Sequence, residues 1–237
     1  TITVMGALAL VFLGVLTRWS PLIYGRSGWK DYGLVGSRRN FTDWLQGLGL
    51  GILFTLALFL TQGLLGWTQW QAPGENFGRI ILEGSLTGLG VGFAEEVFFR
   101  GWLLTELDRD YGSKTALWLN GAFFAILHFL KPLGEVLRTL PQFPALFLLG
   151  VILVQARRRR RYRLGYSIGL HGGLVWAYYA LNVGQILKPL GRVPDWITGI
   201  DGNPLAGLMG LLFLTLLALA VRIGAGRKSS SLESEAE

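Results

Sequence analysis

The chain has 237 residues, 51% of them hydrophobic and only 16% charged, where an ordinary soluble domain carries about a quarter charged residues. Its formal charge of +7 and pI of about 10 would suit a nucleic-acid partner, but the apolar content points to a membrane, so the positions of the charges must decide. With no cysteine, disulfides, thiolate chemistry and cysteine-held metals are excluded, and any chemistry that needs histidine must use His128 or His171.

A membrane span needs roughly 17–25 mostly apolar residues. Such stretches recur at about Ile2–Leu16, Trp44–Trp67, Ile80–Leu104, Thr115–Leu130, Leu140–Ala156, Leu164–Val183 and Leu205–Val221. The first has no basic residues before it and no small-residue cleavage site, so it reads as a span and not as a cleaved signal peptide. Pro132, Pro141 and Pro144 mark the junction between the fourth and fifth, where a helix breaks or kinks. The expected fold class is therefore all-α, a polytopic membrane helix bundle of about seven transmembrane helices. The chain divides into an N-terminal part (1–79) with two spans and a basic loop, a core (80–183), an outer loop with the last span (184–228), and a polar acidic tail (229–237) expected to be disordered.

Loops after odd-numbered spans hold 16 of the 22 basic residues and loops after even-numbered spans hold 5. By the positive-inside rule the N-terminus is outside and the C-terminus cytosolic. The run Arg157–Arg163 fits a cytosolic anchor that also meets anionic lipid headgroups; a span resumes directly after it, which argues against nucleic acid as a partner. The nine Trp suit bilayer-interface anchors. The implied location is that of a multi-pass integral membrane protein.

Few charges remain inside the spans, and a charge near the bilayer centre costs at least roughly 2.5–3.5 kcal/mol, which makes each one a functional candidate. The third span carries Glu95, Glu96 and Arg100. Adjacent helical residues point about 100° apart, so the two carboxylates face different ways. Glu96 and Arg100 stand at i, i+4 with the acid first, the favourable order for an ion pair. Glu95 has no local partner and must find one on another helix. Phe124 and His128 lie in the fourth span and His171 in the sixth, so both histidines are intramembrane. Counted from Asp108, Lys114 and Arg163 as inner boundaries, Glu95 lies roughly 20 Å deep, His128 roughly 21 Å and His171 roughly 12 Å.

Glycines add a packing expectation. Gly84, Gly88 and Gly92 make one stripe of close helix approach, and Gly165, Gly169 and Gly173 make another. His171 points away from the second stripe, so the sixth span packs one neighbour through glycine and shows His171 to a different space. In the loop WITGIDGNPLAG, with Asp201 and Asn203, Asn203 before Pro204 suits a helix start.

One carboxylate and two imidazoles in a dry pocket suit acid–base chemistry. A desolvated Glu95 can activate water, while His128 and His171 orient it, donate to an oxyanion or protonate a leaving amine. The same three residues are also a possible two-His, one-carboxylate zinc site. No HExxH motif is present, no cofactor is assigned, and zinc stays open as an alternative. Haem ligation by the two histidines, or a proton relay, is a further reading of the same residues.

The segments FAEEVFFRGWLL, FFAILHF and LGYSIGLHGG resemble the motif blocks of the CPBP intramembrane proteases, which include type II CAAX prenyl proteases and bacteriocin-immunity relatives. Glu95, Glu96 and Arg100 match the first block, Phe124 and His128 the second, and His171 the third. The resemblance covers roughly residues 80–180. It implies an intramembrane endopeptidase in which Glu95 activates water, His128 and His171 assist, and Glu96, Arg100 and Phe124 support, within a cavity open toward the cytosol. Its partners would be membrane lipid and a membrane-associated peptide substrate. One position departs: four residues after His171 the family often has Asn, which would help hold the oxyanion, and here Val175 stands. Asn182 shares about the same face of the helix but lies roughly 16 Å along the axis. A non-catalytic member acting as a membrane interaction or assembly factor is the alternative that Val175 raises.

Overall fold

In the computed structural model residues 2–25 and 28–223 are described; the tail 229–237, and Arg26, Arg227 and Lys228 of the charge count, lie outside them. Each of the seven apolar stretches falls on a helix: α1 (Ile2–Tyr24), α3 (Arg38–Leu64), α4 (Phe77–Glu96), α5 (Leu104–Leu127), α7 (Phe143–Arg159), α8 (Gly165–Val183) and α10 (Leu208–Ile223). Short helices α2 (Gly28–Asp31), α6 (Leu133–Thr139) and α9 (Asp195–Thr198) lie between them. The all-helical expectation misses one feature. β1 (Thr68–Trp70) and β2 (Leu187–Pro189) pair antiparallel, with Gln69 opposite Lys188. They join the loops that leave α3 and α8, two helices already packed side by side.

Local chemistry sets the boundaries. Ser37 opens α3 by accepting the Asn40 N–H at 3.2 Å. Pro144 sits in the first turn of α7, where its missing N–H costs nothing. Arg157, Arg158 and Arg159 close that helix, where cations suit the negative end of the dipole. Gly112, at φ +75°, breaks α5 into an early segment continuous with α4 and a later one that returns.

Two helical stretches, Arg38–Leu64 and Leu133–Arg159, are long and apolar enough to cross a membrane, with mean hydropathies of 1.8 and 1.7. Leu10–Ile23 and Leu208–Ile223 are apolar but shorter. Large apolar side chains face outward on most of the helices, among them Leu10, Leu53, Leu64, Leu86, Leu127 and Leu212. Such a surface suits lipid and not water.

Helix α8 is the centre of the bundle, with residues 165–173 all buried. It packs between α3 and α4, while α7 packs between α5 and α10. Both expected glycine stripes work as close approaches. A Cβ on Gly88 or Gly92 would meet Trp176 or Gly172 of α8 at 2.6–2.9 Å. A Cβ on Gly169 or Gly173 would run into the backbone of α3 at Trp44 and Leu48. Helix α3 answers with Gly47 and Gly51, set against the α8 backbone at Tyr166 and Leu170, a reciprocal stripe that the sequence reading missed. Backbone thus meets backbone on both sides of α8, as membrane helices favour.

The arginine run is tied inward more than the sequence suggested. Arg160 and Arg163 both grip the buried Asp43 of α3, at 3.1 and 2.5 Å. Arg158 pairs with Asp108 at 2.7 Å, and Arg157 is buried.

Candidate active site

Between α4 and α5 the chain adopts seven residues of π-helix, Val97–Leu103. A π-segment carries an extra residue per turn and often marks a functional site. Its loosened carbonyls are met by side chains. The Leu104 N–H and the Asn120 amide, the latter at 2.7 Å, both donate to the Phe99 carbonyl. Arg157 donates to the Arg100 carbonyl, and the Thr105 hydroxyl donates to that of Gly101 at 2.6 Å. Asn120 is fully buried. The only sequence signal for it was an amide alone in an apolar span, and Arg157 was concealed within a charge run.

This segment fixes Glu96 and Arg100. Both side chains are 0% exposed, and Arg100 Nη1 donates to Glu96 Oε1 at 2.7 Å. The i, i+4 pair expected from sequence is therefore present. Arg100 also donates to the Gly150 carbonyl of α7 at 3.2 Å and lies 4.3 Å over the Phe124 ring. Glu96 has a second partner that the sequence reading did not assign. His171 Nδ1 stands 3.0 Å from the same Oε1.

Phe124 is the wedge of the site. It is fully buried, with its ring 4.5 Å from that of His128 and 5.9 Å from that of His171. Its carbonyl lies 2.7 Å from His128 Nδ1. A carbonyl can only accept, so His128 Nδ1 carries the proton. The F-x-x-x-H spacing thus has a physical reason: one helical turn brings the carbonyl under the imidazole. By the same argument His171 Nδ1–H donates to the Glu96 carboxylate. In the neutral imidazoles both Nε2 atoms then present lone pairs.

Those lone pairs face Glu95. Its Oε2 lies 3.8 Å from His128 Nε2 and 4.0 Å from His171 Nε2, and it has no hydrogen-bond partner among the described residues. The groups nearest Glu95 thus come from α5 and α8 and not from its own helix. The three side chains form a gradient of exposure: His171 6%, Glu95 19% and His128 31%. The separations are too long for direct hydrogen bonds. A water oxygen about 2.8 Å from each partner would subtend roughly 90° at these spans, near the angle between its own two hydrogens. The depth mismatch expected for His171 lies in the choice of boundary. Arg157 reaches the Arg100 carbonyl and Thr105 while Arg158 reaches Asp108, so the arginine run spans the depth of residues 100–108 and marks no single level. From Glu95 to Thr105 is about 15 Å, close to the estimate for His171.

The zinc alternative can be set against this geometry. A tetrahedral zinc with ligands at about 2.0–2.1 Å has ligand edges near 3.3 Å, shorter than the separations here. Among the described residues no group of three or more His, Cys, Asp or Glu is arranged to hold a metal ion.

The site opens into a cavity of about 310 Å³ lined by Glu95, His128, His171, Val175 and mostly apolar neighbours. Its walls include Phe54 and Leu58 of α3 and Phe213 and Leu214 of α10. Gln142, Asn203 and Pro204 stand at one end, on the turns that precede α7 and α10. Asn203 caps its turn as expected, accepting the Leu205 N–H at 3.0 Å. Toward the arginine run the bundle is filled by Leu153, Ala156, Tyr166 and Leu170, all buried in one cluster. The cavity lies in the half of the bundle away from Arg157–Arg163.

Residues 77–189 match the family described as Type II CAAX prenyl endopeptidase Rce1-like. The likeness covers 113 of the 237 residues, a little under half of the chain. It runs from α4 to β2 and contains all three motif blocks, in agreement with the resemblance read from Glu95 to His171. No curated protein sequence and no solved structure matches the chain. The family it resembles is one of membrane-integral, helical proteases.

Proposed function

We propose that the chain is an intramembrane endopeptidase in which Glu95 activates a water, His128 and His171 assist, and Glu96, Arg100 and Phe124 hold these groups in place. One observation carries the reading: His128 Nε2 and His171 Nε2 lie 3.8 and 4.0 Å from Glu95 Oε2, and each imidazole is held from behind at Nδ1. A water placed there is oriented by two acceptors while its oxygen lone pair points into the cavity. Glu95, in low dielectric, takes its proton as the oxygen adds to a peptide carbonyl. The Glu96 carboxylate behind His171 stabilises an imidazolium formed during proton transfer, the role an acidic residue plays behind a catalytic histidine. No step in this account is routed through a metal.

The substrate in this reading is a membrane-associated peptide with apolar side chains, since the cavity is apolar apart from Glu95, the two histidines and a few amide and hydroxyl groups. The family description adds a CAAX-type substrate class. We read the chain as seven spans with the arginine run on the cytosolic side. On that reading the Gln142 and Asn203 turns lie on the opposite side from the arginine run.

The test is cleavage of a quenched-fluorescent apolar peptide in phospholipid vesicles holding the purified protein. Glu95→Ala, His128→Ala and His171→Ala are each expected to lose activity, by at least about 10²-fold for the base. Wild-type activity should survive chelator. If all three variants cleave like wild type, the endopeptidase reading fails.

A further inference from the structure

The cavity beside Glu95 is walled in part by α3 and α10, which lie outside the matched residues 77–189. Its apolar lining falls into two groups. Phe54, Leu174 and Leu217 pack in the buried cluster that contains Phe124, whose ring stands against both histidines. Leu58, Tyr178 and Phe213 pack in a separate cluster with Phe59.

Three helices each give one residue to each group, four positions apart: Phe54 and Leu58 on α3, Leu174 and Tyr178 on α8, Leu217 and Phe213 on α10. Four residues make about one turn and advance roughly 6 Å along a helix. Glycine contacts fix the register of two of these helices. Gly47 of α3 lies against Tyr166 and Leu170 of α8, and Gly51 lies against Leu170 and Leu174, so the two helices advance in the same direction. Phe54 therefore stands nearly level with Leu174, and Leu58 with Tyr178. The lining forms two tiers. The first adjoins His171, three residues before Leu174 on α8. The second lies one turn farther from the arginine run, next to the Gln142 and Asn203 turns. There the Tyr178 hydroxyl accepts from Asn182 Nδ2 at 3.3 Å, and that nitrogen lies 3.8 Å from where a Cβ on Gly202 would stand.

A peptide bond inside a helix has its carbonyl engaged by the N–H four residues on, so the segment that reacts at Glu95 is extended. In an extended chain alternate side chains point the same way and repeat at roughly 6.4–6.8 Å. That repeat matches the separation of the tiers.

We propose that the two tiers are side-chain subsites for an extended substrate segment. Phe54, Leu174 and Leu217 take a large apolar side chain next to the scissile bond, and Leu58, Tyr178 and Phe213 take a second one two positions farther on the same side. The residue between them points to the opposite face and is not selected. This rests on the endopeptidase reading and adds a spacing rule to it. Phe54, Leu58, Phe213 and Leu217 all lie outside the matched segment, so the rule is set mainly by the flanking helices and not by the motif blocks.

Cleavage of fluorogenic peptides by the protein in phospholipid vesicles tests the proposal. Leucines are placed singly and in pairs in an alanine background on both sides of the scissile bond, which mass spectrometry locates. A pair at the flanking position and two positions beyond should raise kcat/KM at least about 10-fold over either single leucine, the worth of added methylenes in an apolar pocket. Leucine at the intervening position should add nothing. Phe213→Ala should raise the preference for tryptophan over leucine at the farther position and leave it unchanged at the flanking one, and Phe54→Ala should do the reverse. Each preference is a ratio within one preparation, so any loss of folded protein cancels, and a merely structural phenylalanine would not move it. If adjacent positions are preferred, or if each variant changes kcat/KM by one factor for every peptide, while Glu95→Ala cleaves nothing, this proposal falls and the endopeptidase reading stands. If Glu95→Ala cleaves like wild type, or wild type cleaves none of the peptides, the endopeptidase reading fails and the subsites fail with it.

Discussion

Arg100 and Glu96 show at the scale of single residues why charges survive inside this bundle. Each is fully enclosed, and each has a partner beyond the other: the Gly150 carbonyl for Arg100, and His171 for Glu96. A buried pair adds little net stability, but removing one partner strands the other charge, which costs about 3–5 kcal/mol. Arg100→Met should therefore lower the thermal midpoint markedly in detergent, and adding Glu96→Gln should recover much of it. An unchanged midpoint for Arg100→Met would contradict the structure. The motif residues were legible because charge in an apolar run is costly and two histidines are scarce. The His171–Glu96 bond was not legible, since it joins side chains 75 positions apart whose register only the packed helices define.

Among the elements, the π-segment Val97–Leu103 matters most, because it lies directly between Glu95–Glu96 and the end of the motif. Asn120 holds it from α5 and Arg157 from α7. Asn120→Ala removes the amide from the buried Phe99 carbonyl and should cost about 1–3 kcal/mol. It should also slow cleavage, because Arg100 and Glu96 sit on the same loosened turn; a variant with wild-type stability and rate would refute this. Glycine spacing alone pointed correctly to tight packing around α8, and Gly169→Val should break it, since a Cβ there meets the Leu48 amide at 2.8 Å. The fraction of that variant reaching the folded membrane form, read by size exclusion in detergent, should fall sharply. The π-segment itself had no sequence signature. Its sequence reads as ordinary apolar helix, and the extra residue shows only through the carbonyls it frees.

The whole molecule separates its charge from its chemistry. Composition and the positions of apolar runs located the seven long helices, with ends that differ by as many as eleven residues at the start of α5. They did not show that four arginines of the 157–163 run pack against Asp43, Asp108 and the π-segment. Nor did they show that the cavity ends at Gln142 and Asn203. The sidedness has a direct test, because the chain contains no cysteine. Arg161→Cys and Asn203→Cys should react with a membrane-impermeant maleimide from opposite faces of a sealed vesicle, and labelling from one face would overturn the proposed topology.

The central claim is that Glu95 performs the chemistry, and Glu95→Gln tests it most directly because it keeps shape and burial while removing the base. In vesicles, the variant should match wild type in thermal midpoint and substrate affinity and show no cleavage above background. A variant that folds normally and cleaves at the wild-type rate would contradict the account.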